Sequence, residues 1–102
     1  MKDTATYESV AAESERALNS FLHRELELTA TLLDLARIEI EHRDDAGASQ
    51  AMGFARRGIA TIHRYLPHVR PSDRKQIARE LRPLERLLHL HESAHGKHTA
   101  KN

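Results

Sequence analysis

His91-Glu92-Ser93-Ala94-His95 sets two imidazoles one helical turn apart with a carboxylate between them. That spacing binds zinc and supplies a general base in metal-assisted hydrolysis. A hydrolytic zinc takes three protein ligands and keeps one position open. Only seven residues follow His95, Gly96 reads as a helix stop directly after it, and His98 comes too early for the extended motif with a third histidine. Eight histidines in 102 residues also make a chance match easy. His91, His95 and His98, with His89 beside them, therefore read as a polar helix end. Its imidazoles complement the C-terminal dipole and offer at most an adventitious site for a transition metal.

Two Glu-x-x-His pairs, Glu39 with His42 and Glu92 with His95, resemble those of carboxylate-rich di-iron bundles, with Glu25 available as a further carboxylate. Both pairs fall at helix ends rather than mid-bundle, where inward projection is needed. Glu25 and Glu39 are expected instead at a helix seam, paired with Arg56, Arg57 or Arg64, because a carboxylate buried alone is costly. No Ser or Thr sits in a Gly-rich turn, and there is no Gly-x-Ser-x-Gly or phosphate-cradling loop. The sequence gives no reason to expect an enzyme or a cofactor.

Charge is the stronger signal. Residues 1–45 carry a net −6 and residues 46–102 a net +7, so the overall +1 hides a pronounced dipole. Opposite fields favour the acidic segment packing on the basic one, within one chain or between two copies. Lys75, Arg79, Arg82 and Arg86 recur at helical spacing opposite the apolar row of the same segment, a stripe suited to an acidic protein partner. Nucleic acid or another polyanion is the alternative, weakened by two Tyr, two Phe, no Trp and the interrupting acids Glu80 and Glu85.

Three helices must position these groups. Thr4 to Arg43 contains no Gly or Pro, and Leu18, Phe21, Leu22, Leu28, Leu32, Leu33, Leu35, Ala36 and Ile40 fall within about half the helical circumference. An arc that wide exceeds what one partner helix covers. Asp44 or Asp45 can cap a second helix, from about Ala46 to Leu66, whose contact rows are Ala48, Ala51, Met52, Ala55, Ile59, Ile62 and Leu66 with Gly58 beside them. Pro67 and Pro71 close it. Ser72 is the expected N-cap of a third helix with Ile77, Leu81, Leu84, Leu88 and His91 on one row, a kink or short break near Pro83, and an end at Gly96. Residues 1–95 thus form one helical domain and 96–102 a flexible tail.

The first helix is longer than the others and overhangs them. Tyr7, Val10, Leu18 and Phe21 then lie where a compact three-helix monomer does not reach, and they are the expected self-association residues of a homodimer. A reversal at Asn19-Ser20, giving a four-helix bundle, is the alternative, but that pair lacks the Gly or Pro of a sharp turn.

The first hairpin resembles a single tetratricopeptide repeat. Leu32, Leu35 and Ala36 match its first helix and Ala48, Met52 and Ala55 its second, while Glu39 replaces the expected aromatic and Ala60 the closing proline. The resemblance implies protein binding along a helical groove, although one hairpin does not form the concave surface of a repeat array. Charged residues are 30% of the chain, aromatics 4%, and there is no cysteine. Neither a signal peptide nor a membrane span is legible. The expectation is an all-α antiparallel bundle, cytoplasmic, acting as a non-catalytic protein–protein interaction or scaffolding module, with a polyanion-binding or histidine-based metal protein as alternatives.

Overall fold

A computed structural model describes the backbone over residues 2–100 and the side chains over residues 11–96. Three helices follow one another: α1 (Lys2–Glu41), α2 (Asp45–Tyr65) and α3 (Pro71–Ala100), with a 3-10 turn at Leu66–His68 between the last two. The molecule is an all-α three-helix bundle drawn out into a rod of 69 × 20 × 16 Å. No strand occurs among the described residues. α1 runs unbroken through Asn19 and Ser20, so the four-helix alternative is not adopted.

The first reversal is compact because backbone and side chain close it together. Arg43 takes a left-handed φ of 60°, Asp44 N–H bonds back to Glu39 C=O at 2.8 Å and Arg43 N–H to Ile40 C=O at 3.1 Å. This is a Schellman closure with arginine where glycine is usual. Asp44 then caps α2, its Oδ1 accepting from Gly47 N–H at 2.9 Å. Gly47 sits inside the first turn of α2, not at the end of α1. A Cβ there would lie 2.6 Å from Asp44 Oδ2 and 3.0 Å from Glu39 Cδ, so any other residue would push these two carboxylates aside.

The small-to-large row of α2 is realised: Ala48, Ala51, Met52, Ala55, Ile59 and Ile62 are all buried, and Leu66 packs against the same core. The small residues bring α2 close to Leu33 and Ala36 of α1, and Gly58 is the tightest approach farther along. The second reversal is held by Arg74, whose guanidinium donates to Pro67 C=O at 3.0 Å and Val69 C=O at 3.1 Å.

α3 departs from the sequence expectation at three points. It starts at Pro71 rather than after a Ser72 cap, because proline's fixed φ and missing N–H suit the first helical position. It continues through Pro83, so of the expected kink or break the break does not form, and it runs on through Gly96 to Ala100. Neither residue forbids a helix; each makes one locally less stable. Ile77, Leu81 and Leu88 reach the core, with Leu84 partly buried beside them. Polar cross-links complete the docking of α3: His23 to Glu80 at 3.6 Å, His63 to Glu85 at 2.7 Å, Arg56 to Glu92 at 2.6 Å and Asp45 to His95 at 3.7 Å. Among the described residues no helix is long and apolar enough to cross a membrane.

Candidate functional site

The apolar arc of α1 is covered on one side only. Leu22, Leu26, Leu33 and Ala36 are buried, whereas Leu28 keeps 53% of its surface exposed and Leu35 is also open. Beside them runs a groove of about 390 Å³ between α1 and α2, lined by Glu25, Leu28, Thr29 and Leu32 on one wall and Phe54, Arg57, Gly58 and Thr61 on the other. α3 lines none of it. Phe54 is 43% exposed, with the Arg57 guanidinium stacked 4.6 Å from its ring centroid. At the floor, Thr29 is 1% exposed and its hydroxyl is buried with no hydrogen-bond partner.

The residues marked in the sequence as an overhanging interface divide. Leu18 and Phe21 are partly buried against the chain's own core, Phe21 meeting Tyr65 edge-on with ring centroids 6.2 Å apart. The monomer therefore covers part of what the sequence assigned to a partner, because Tyr65 and the 3-10 turn extend α2 along α1. Beyond them Arg70 Nε binds Glu15 Oε2 at 2.7 Å, and Glu15 holds the guanidinium above its ordinary pKa. The side chains of Tyr7 and Val10 lie outside the described residues.

The H-E-x-x-H residues are engaged in packing α3. Glu92 accepts from Arg56, and His95 faces Ser49 Oγ at 3.1 Å as well as Asp45. His91 Nε2 is buried with no hydrogen-bond partner. Among the described residues no three His, Cys, Asp or Glu groups gather in a way that could hold a metal ion. The side chain of His98 lies outside the described residues.

Neither expected glutamate–arginine seam pair forms. Glu25 lines the groove, and Arg56, Arg57 and Arg64 turn to Glu92, Phe54 and Tyr65. Glu39 instead meets Asp44 across the first reversal, five residues away, a distance the Schellman closure makes short. A hydrogen bond to Asp44 raises the Glu39 pKa, while the Gly47 N–H and then Glu39 lower that of Asp44. A raised carboxyl contributes stability below its ordinary value and loses it as pH climbs through the folded value; the lowered Asp44 does the reverse. Glu39→Gln keeps a donor toward Asp44 and removes the charge. It is expected to raise the melting temperature at pH 7, with the gap to the native protein closing in thermal scans as pH falls below the ordinary glutamate value of 4.5.

Lys75, Arg79, Arg82 and Arg86 are all exposed and lie in one row on the outer side of α3. Glu80 and Glu85 lie beside this row and pair with His23 and His63, Glu80 remaining exposed. Sequence reasoning missed the groove. Its signal was the second row of α2, in which Phe54, Gly58, Thr61 and Tyr65 recur at helical spacing beside the buried row. No protein-family model matches this chain, and no curated protein or solved structure matches it either.

Proposed function

We propose that this chain is a non-catalytic helical interaction module that pairs with a second copy across the α1–α2 face. The carrying observation is the open groove: two helices present Leu28 and Phe54 outward on the side that α3 leaves bare. Charge complements that reading. Glu25 and Arg57 stand on opposite walls of the groove, and a two-fold pairing that sets each copy's Glu25 against the other's Arg57 makes the contact twice.

The tetratricopeptide-like spacing of the first hairpin fits the same role, since it describes two helices packed closely enough to leave a groove beside them.

Light scattering tests the proposal. The native chain is expected at twice 11.6 kDa in both low and high salt, because apolar contact is not screened. Leu28→Glu with Phe54→Glu is expected at 11.6 kDa with its helical circular dichroism intact, both side chains being exposed in the single chain. A native chain that stays monomeric at every concentration overturns the reading.

A further inference from the structure

We propose that the outer face of α3 binds the phosphodiester backbone of double-stranded nucleic acid. α3 carries four acids among its described side chains, and each is drawn to one side of that face, although Glu80 stays exposed and Glu85 borders Arg86. Asp73 lies in the first turn, where it acts on Arg70. Glu80 turns to His23 of α1, Glu85 to His63 of α2, and Glu92 to Arg56 of α2. What remains outward is Lys75, Arg79, Arg82 and Arg86, none of which meets a carboxylate among the described residues. The sequence shows a mixed segment; in the structure its acids pair sideways with α1 and α2 while the four cations line up along α3.

The geometry of the line suits a phosphate backbone. Four positions spaced 4, 3 and 4 residues apart span roughly 16 Å of helix axis. Lys75, Arg79 and Arg82 border a shallow depression with Ala78. Three of the four are arginines, whose planar forks pair two N–H groups with phosphate oxygens.

A duplex is favoured over an acidic protein helix because the line has no apolar side chain between its cations, the exposed Leu90 standing only at its Arg86 end. Protein interfaces draw their energy from buried aromatic or aliphatic side chains, and between Lys75 and Arg86 the exposed neighbours are Gln76, Glu80 and Pro83, with Ala78 half-buried. Exposed Leu90 comes one turn later. Backbone binding needs no such anchor, since release of condensed counterions drives it. A single strand is disfavoured because no aromatic ring stands on this face for bases to stack on. The line also faces away from the α1–α2 groove, so the inference holds for one chain or a pair.

The test is fluorescence anisotropy with the full chain and a labelled mixed-sequence DNA duplex. Four phosphate contacts predict a slope of log K against log salt near −3.6, hence a ~100-fold loss of affinity between ~50 and ~200 mM salt. Arg79→Gln with Arg82→Gln is expected to leave the melting temperature unchanged, lower the slope by about 2 and weaken binding ~10-fold or more at low salt. No salt-dependent binding by the native chain overturns the proposal, as does binding that the double variant leaves intact. So does stronger competition by charge-matched polyglutamate or phosphatidylserine vesicles than by unlabelled duplex, which would assign the line to an acidic protein or a membrane surface.

Discussion

Gly58→Ala is expected to lower the melting temperature by about 5–10 °C, against the usual gain from replacing a helical glycine. Alanine in a helix interior is favoured over glycine by roughly 1 kcal/mol. At Gly58 the added Cβ would lie 2.5 Å from Thr29 Oγ1, and Thr29 is buried, so one helix must shift or the threonine must turn. Overpacking of this kind costs about 1–3 kcal/mol. Thr29→Ala removes the obstructing atom and leaves its Cβ 3.8 Å away, an ordinary contact. In that background the same substitution is expected to be neutral or stabilising by up to ~1 kcal/mol. Gly53 supplies the control, since nothing lies within 4 Å of a Cβ there, and Gly53→Ala should simply gain stability. Thermal scans of the double-mutant cycle, at one protein concentration because self-association shifts the midpoint, decide the matter. Additive effects would mean that Gly58 and Thr29 do not set the α1–α2 spacing.

The same pair shows where the sequence was legible and where it was not. The buried row of α2 was readable because alanines, Met52 and isoleucines at helical spacing have one way to face a partner, and the structure buries them as expected. The aspartate cap was readable for a similar reason, as its chemistry is local. Thr29 was not, since a threonine inside an apolar arc reveals neither its burial nor the glycine that crosses it. Leu28 and Leu35 were misjudged in the opposite sense: periodicity says which residues could be covered, and only the placement of the other helices decides which are. Glu80, Glu85 and Glu92 carry the same lesson for charge. Their histidine and arginine partners lie 57, 22 and 36 residues away in sequence, and no local pattern pairs them.

Pro83→Ala is expected to raise the melting temperature by about 10 °C. The proline stands in the interior of α3, where it removes the N–H that Arg79 C=O would accept and crowds that carbonyl with its ring. Proline there is about 3 kcal/mol less favourable than alanine, from which the lost stiffness of the unfolded chain subtracts ~0.4–1 kcal/mol. Nothing in the core compensates, because the Pro83 side chain is exposed. An unchanged melting temperature would show that α3 already relieves the defect through its surroundings. A raised one poses a sharper question, since natural chains tend to break local helix rules where function needs it. Pro83 lies between Arg82 and Arg86 on the cationic line, so the variant belongs in the duplex-binding assay too. Stabilisation with an unchanged salt slope would make Pro83 a tolerated cost, whereas stabilisation with weakened binding would make it part of the surface that presents the arginines.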